Sequence, residues 1–391
     1  MKFNESRSQQ GRKPELPSLS PEILKNISPE LAEKFLGAKI VVLDLDGCLI
    51  PTNSPEDLKD LASVISELRQ QGVLVLVNTG RPAAYAQGLI RPLFSLSSDT
   101  WNVAEHGGCI FPIGDGQKVI DLIPKKDQHI FQEIEKALKK FLEQEDVITF
   151  EEGKTRGLAL FPRECHTLEG KEKAAEVREL REVIESLLKR LKLLQFVSPS
   201  NKRINDEKDR QIAYITTSSL AVDILPIATN KLTALQLVLA LNAVLGNVKD
   251  EEKKKLKEKY SLSFESVGLF LNSLTKFSLT EINQQDNMEL YLKNKFSDEQ
   301  SRRFFSRQVA VLKSMLTLGE KLLADTIYVG DSEGDWPVMQ SEKVGLITCP
   351  ANADPETKKL VRKRGGYVAS GSTTSGVAEI LQILLSIKNK K

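Results

Sequence analysis

The stretch that most constrains this chain is Lys39-Ile40-Val41-Val42-Leu43-Asp44-Leu45-Asp46-Gly47, a short β-branched run that breaks off at two acids and a glycine. Apolar residues with no polar alternation fit a strand buried on both faces, as in a parallel sheet covered by helices. A helix-period segment follows (PEDLKDLASVISELRQQG, closed by Gly72), and then a second apolar run, Val73 to Val77, ending at Asn78. Strand, helix and strand within about 40 residues make a βαβ unit. The expected fold class is therefore α/β, with a doubly wound, Rossmann-like parallel sheet.

The pattern divides the rest of the chain. Residues 1–38 read as a polar, proline-containing extension with a short helix around 29–36, and residues 39–112 as the first part of the core. From 113 to 221 the order is helix, strand, strand, then a long charged helix and two more strands, which predicts an inserted α+β cap domain with an antiparallel sheet. The core is expected to resume at Ala221-Val222-Asp223-Ile224-Leu225-Pro226 and to run over 222–385. Within it, 246–305 is Lys-rich, helix-prone and without a clear strand, and reads as a solvated helical insertion. Strands at 325–330 and 344–349 complete the predicted sheet, and the Lys-rich tail is expected to fray.

Composition narrows the function classes. Lys plus Arg (55) nearly balance Asp plus Glu (53), so no global field argues for nucleic acid or an acidic membrane surface. Cys48, Cys109, Cys165 and Cys349 are far apart, with no CxxC pair and no zinc-like Cys/His spacing. The N-terminus lacks the apolar segment of a secretion signal, and no apolar run reaches membrane-spanning length. The expectation is a soluble, cytoplasmic protein without nucleic-acid or membrane partners.

Four local signals carry chemistry. In extended backbone Asp44 and Asp46 leave the strand end on the same side, and Gly47 permits a sharp turn after them. Two carboxylates this close call for a hard divalent cation or a proton between them. Thr79-Gly80-Arg81 after the second strand offers a hydroxyl and backbone amides to an anion, although alone it is an ordinary strand-to-helix turn. Lys231 opens a helix, where lysines are commonly just solvated. Gly330-Asp331-Ser332-Glu333-Gly334-Asp335 follows the apolar strand Thr326–Val329; its acids could merely complement a helix dipole. The bland readings do not account for all four signals falling at strand ends in this order.

As an ordered set, Asp44–Gly47, Thr79–Arg81, Lys231 and Gly330-Asp331…Asp335 resemble the four motifs of the haloacid dehalogenase superfamily of phosphohydrolases. An insertion between the second and third motifs resembles the Cof-type, sucrose-phosphatase-like branch, whose caps are α/β. Ala104-Glu105-His106-Gly107-Gly108, Pro350–Ala353 and Ser375–Ala378 match further segments of that branch. The resemblance implies a phosphatase acting on a small phosphorylated metabolite, a sugar phosphate among the candidates, through an aspartyl-phosphate intermediate. It implies Asp44 as nucleophile and Asp46 as general acid and base. Thr79, Gly80 and Lys231 would hold the phosphoryl oxygens, and Mg²⁺ would be bound by Asp44, Asp46 (through its backbone carbonyl), Asp331 and Asp335.

Three positions depart from the branch. Cys48 stands in place of Thr, His106 in place of Asn, and Gly334 in place of Asn. The separation of about 100 residues between Lys231 and Asp331 is also longer than in relatives. Two other readings share the scaffold: a phosphomutase that returns phosphate to a substrate hydroxyl, and a non-catalytic binding scaffold that works through 246–305. Substrate identity and oligomeric state lie beyond the sequence.

Overall fold

The structure, a computed structural model, describes residues 21–50, 55–94, 100–113, 119–123, 125–142, 148–162, 170–193, 197–198, 212–217, 221–227, 229–245 and 296–390. Within the long insertion it also describes 251, 254–255, 258, 267 and 270–271. The central sheet has five parallel strands: β1 (Ile40–Leu43), β2 (Leu74–Val77), β11 (Thr326–Val329), β12 (Leu346–Cys349) and β13 (Tyr367–Val368). Their order is β13-β12-β11-β1-β2, with β1 paired to β11 from Ile40↔Thr326 to Leu43↔Val329. The first predicted strand thus lies beside a strand almost 290 residues later, and both end at acids.

Strand periodicity explains why the apolar run of β1 is continuous. Ile40 and Val42 pack into one core cluster and Val41 and Leu43 into another, on opposite faces of the sheet. On the Val41 face lie α3 (Pro55–Gln70), α4 (Ala83–Phe94) and α11 (Thr373–Lys388). On the Ile40 face lie α7 (Lys231–Leu245) and α8 (Glu299–Leu322). Helix α7 is apolar nearly all round, as befits a helix between sheet and helix. Its backbone approaches α8 so closely that a Cβ on Gly319 would stand 1.8 Å from the Gln236 carbonyl oxygen.

Two further sheets lie outside the central one. A three-stranded antiparallel sheet of β3 (Trp101–Ala104), β4 (Cys109–Pro112) and β5 (Ile120–Asp121) is tied to β2 where the Thr79 N–H donates to the Val103 carbonyl at 3.1 Å. A five-stranded sheet has the order β6 (Ile148–Phe150), β7 (Leu158–Pro162), β10 (Val222–Pro226), β9 (Ala213–Thr217), β8 (Val197–Ser198). Helices α5 (Lys125–Leu142) and α6 (Gly170–Arg190) supply Phe131, Ile134, Leu138, Val177, Ile184 and Leu188 to its core. The sheet is antiparallel except for the parallel β8–β9 pair.

Two expectations change. Val222–Pro226 does not resume the parallel sheet; it is the middle strand of the inserted sheet, antiparallel to both β7 and β9. A strand buried on both faces reads alike in either place, which is why sequence put it in the core. The helix expected around 29–36 forms as α2 (Pro29–Gly37) and buries Phe35 completely against the core. Within the 246–305 insertion, Val267 and Phe270 are fully buried in the cluster around α7 and α8, not solvated. Most of that insertion lies outside the described residues.

Candidate active site

Asp44 follows β1 directly, Asp331 lies two residues past the end of β11, and Lys231 is the first residue of α7. The strand ends are adjacent because β1 and β11 are adjacent. Lys231 is fixed by its helix start: Asn230 caps α7 by accepting the amides of Leu232 and Thr233, each at 3.0 Å. The Asn78 side chain, at the end of β2, donates to the Lys231 carbonyl at 3.1 Å. The Lys231 ammonium then bridges Asp44 Oδ1 at 2.9 Å and Asp335 Oδ1 at 2.7 Å, all three groups buried.

Asp335 is held from every side. The Tyr328 hydroxyl donates to Oδ1 at 2.6 Å, and the amides of Asp331 and Ser332 donate to Oδ2 at 3.0 and 3.4 Å. Both of its oxygens are thus engaged, so it acts here as the organiser of the loop after β11. Burial lowers the Lys231 pKa, but Asp335 and Asp44 outweigh that and raise it, so the ammonium stays charged. Asp44 shows the opposite balance. Burial and the nearby Asp335 charge outweigh Lys231 and push it up to about 8. Asp331 is likewise raised well above the carboxylate range by burial, Asp335 and Asp44.

Two buried carboxylates that resist ionisation together are a site short of positive charge. Oxygen donors of Asp44 and Asp331 lie with the Cys48 sulfur within 4.8 Å of one another. Gly47, at φ +72°, makes that approach possible, since a Cβ there would meet Asp331 Oδ2 at 1.9 Å. The donor set fits a hard divalent cation held through carboxylate oxygens. Burial and the surrounding acids hold the Cys48 thiol well above its ordinary pKa, so it stays protonated and is a poor ligand for such an ion.

The other wall of the site comes from the inserted sheet. Asp46 is forked by Arg81, whose Nε and Nη2 donate to it at 2.8 and 2.6 Å. Arg81 Nη1 continues to Glu151 Oε1 at 2.9 Å. Glu151 and Lys154 belong to the tip of the β6–β7 hairpin, where Gly153 takes φ +81° to close the turn. Lys154, itself buried, reaches Asp223 of β10 at 3.1 Å and Glu151 at 3.5 Å. The same tip is anchored by Glu105, whose Oε2 accepts the amides of Thr155 and Arg156 at 2.9 and 2.7 Å while Oε1 accepts the Arg156 guanidinium at 2.7 Å.

That anchoring holds strained backbone. Glu105 and His106 both take positive φ, 49° and 55°, which non-glycine residues adopt at a cost of roughly 1–3 kcal/mol each. The turn delivers the His106 ring into a slot between two glycines: a Cβ on Gly80 would stand 2.2 Å from its Nε2, and one on Gly334 3.3 Å from its Cε1. His106 Nδ1 is buried with no hydrogen-bond partner among the described residues. Burial, helped by Lys154 and Lys231, holds the imidazole well below its ordinary pKa and hence neutral.

Asp44, Asp46, Gly80, Arg81, His106, Glu151, Lys154, Asp223, Lys231 and Asp331 are thereby brought around one cavity of about 50 Å³. Among the predicted site residues, Thr79 is fully buried with its hydroxyl accepting the Arg81 amide at 3.1 Å, and it does not line the cavity. Lys154 lines it, whereas Arg156 binds Glu105 and Asp121. Sequence missed Glu151, Asp223 and the fork of Arg81 on Asp46. Only the Glu-Glu-Gly-Lys turn between two apolar runs hinted that charged side chains were being grouped.

A family model described as haloacid dehalogenase-like hydrolase matches residues 41–248. No curated protein matches the chain. Among solved structures, the chain is similar to the C-terminal domain of the Candida albicans trehalose synthase regulatory protein, at 15% identity over 92% of this chain and 99% of that one, with a TM-score of 0.50. It is also similar to the C-terminal domain of C. albicans trehalose-6-phosphate phosphatase (12% identity, 95% and 98% covered, TM-score 0.47). A third similar structure is a putative HAD/COF-like hydrolase from Plasmodium vivax (14% identity, 93% and 99% covered, TM-score 0.47). At such identities the likeness concerns the fold.

Proposed function

This chain belongs to the haloacid dehalogenase-like hydrolases, and on that premise we propose that it is a magnesium-dependent phosphatase of small phosphorylated metabolites. The observation that carries the reading is the buried Asp44–Lys231–Asp335 bridge beside Asp331, at the carboxyl ends of two adjacent parallel strands. Such a cluster of acids is costly to keep unless a cation completes it.

Asp44 is the nucleophile in this reading. One of its oxygens forms the bond to phosphorus while the bond from phosphorus to the leaving-group oxygen breaks, giving an aspartyl phosphate. Asp46 donates the proton to that leaving oxygen, then takes one from the water that attacks phosphorus and releases Asp44. Lys231 balances charge on Asp44 and on the phosphoryl oxygens, and the Gly80 backbone lines their side of the cavity. Asp44 and Asp331 would hold Mg²⁺, which supplies charge neutralisation when bound. Arg81 keeps Asp46 oriented toward the cavity, and Lys231 keeps Asp335 from repelling its neighbours.

The inserted sheet and its helices, with β10 included, act as the cap over this site in the proposal, and Glu105 is the core residue that receives it. A phosphomutase would use the same residues. A binding scaffold would have no use for a carboxylate cluster that repels itself. The test is phosphate release from a panel of phosphorylated metabolites with and without Mg²⁺, comparing wild type with Asp44→Asn. Metal-dependent release lost in the variant is the expected result. Phosphate exchanged between substrate hydroxyls without release to water would replace the phosphatase with the mutase.

A further inference from the structure

His106 lines the cavity, yet the reaction as described gives it no part. Its turn is fastened to the strand-end side by backbone: the Glu105 amide donates to the Arg81 carbonyl and the His106 amide to the Thr79 carbonyl, both at 3.1 Å. Glu105 and His106 are held there at positive φ, and strain kept at one place in a fold marks a position with something to deliver. What this turn delivers is the imidazole. Nε2 is the ring atom nearest Gly80, where a Cβ would stand 2.2 Å away, and it lies 3.8 Å from Asp223 Oδ1, too far for a hydrogen bond. At Gly334, the other glycine of the slot, a side chain would press on Cε1 at 3.3 Å. The departures at 106 and 334 are thus one arrangement in space, an imidazole filling room that a side chain at 334 would take.

A neutral imidazole carries a single N–H, and burial decides which nitrogen has it. Nδ1 is buried with no partner among the described residues, so an N–H there would go without an acceptor. At Nε2 the proton lies beside cavity-lining Gly80 and in the field of the Asp223 carboxylate. We propose that His106 is a substrate-contacting residue, which donates from Nε2–H to a non-bridging oxygen of the phosphoryl group beside the Gly80 backbone. The proposal rests on the phosphatase reading of the same cavity and adds a donor to it. An uncharged donor fixed in advance, where negative charge builds on phosphoryl oxygens, stabilises that charge without reorganising during the reaction. The slot between Gly80 and Gly334 supplies the fixing, and the backbone bonds to Thr79 and Arg81 set the distance.

The experiment separates the two nitrogens. In His106→Gln the side-chain amide can stand where Nε2 stands, in His106→Asn it reaches only the Nδ1 position, and His106→Phe fills the slot without a donor. On the full chain with Mg²⁺, kcat/KM is measured for p-nitrophenyl phosphate, and calorimetry gives the affinity for orthovanadate, which has no leaving group. Melting curves establish that each variant is folded. The Asn and Phe variants are expected to lose about 100-fold in kcat/KM and about 10-fold in orthovanadate affinity, while the Gln variant keeps most of both. Equal losses in the Gln and Asn variants, or orthovanadate affinity unmoved in the folded Phe variant, would overturn the contact and leave the phosphatase standing. If the variants do not fold, nitrogen NMR of the wild type decides. The chain has three histidines, so substituting His129 and His166 assigns the His106 signals. They should show a neutral ring protonated at Nε2, with that signal moving when orthovanadate binds; a proton on Nδ1, or a signal unmoved by bound orthovanadate, would overturn the contact. Neither turnover nor orthovanadate binding by folded, cation-bound wild type would overturn both readings.

Discussion

The two ends of the cavity are built on opposite plans. The strand-end side takes its charged groups from the positions that a parallel sheet provides for chemistry: Asp44 after β1, Asp331 after β11, Lys231 at the start of α7. The hairpin side takes them from an antiparallel sheet, where Asp223 is mid-strand and Glu151 and Lys154 are on a turn. In the first, charges are set by the ends of buried strands and by a capped helix start. In the second, Glu151 and Lys154 are set by a turn tied to the core through Glu105 and through the Arg81–Glu151 pair, and Asp223 by the inserted sheet.

The largest expected effect falls on the strand-end side. Lys231→Met would leave Asp44 and Asp335 buried without their cation, and breaking such a pair costs about 3–5 kcal/mol. Denaturant unfolding near neutral pH should show that loss together with loss of turnover. A change below about 1 kcal/mol would mean that the bridge does not hold the site together.

The second effect is on the hairpin side. Glu105→Ala removes three hydrogen bonds that pin the tip, two to backbone amides and one to Arg156. Stability should fall by about 1–3 kcal/mol, and KM should rise more than kcat falls, because the reacting groups stay in place. A fall in kcat with KM unchanged would contradict the division between the two ends.

A smaller effect concerns protons. The Asp44 pKa stands at about 8 in the fold against an ordinary 3.8, raised by burial and by Asp335. With a raised folded-state pKa, the fold holds a proton that the unfolded chain gives up. The metal-free protein should therefore lose stability as pH rises from the ordinary carboxylate range through about 8. Divalent cations replace that proton, so their affinity should climb over the same range, and calorimetry should record proton release on binding. Cation binding indifferent to pH would place the ion elsewhere.

What could be read from sequence follows the same division. β1, β2 and β11 were legible because strands buried on both faces leave unbroken apolar runs, and the acids after them stand out by interrupting those runs. The inserted sheet was legible as an alternation of helices and strands, but Val222–Pro226 was assigned to the wrong sheet, since burial on both faces does not tell which neighbours cover it. Glu151 and Asp223 were invisible as site residues because a carboxylate on a turn or strand looks the same facing solvent or facing a cavity. His106 was singled out only as a departure from its relatives. Its place became clear when Gly80 and Gly334, from two separate motifs, proved to be the walls of its slot.

The central claim is that Asp44 takes up the phosphoryl group. Wild-type protein with Mg²⁺ and a turned-over substrate, quenched in acid and mapped by peptide mass spectrometry, should carry one phosphoryl group on Asp44, and Asp44→Asn should carry none. A label on another residue, or turnover that persists in Asp44→Asn, would contradict it.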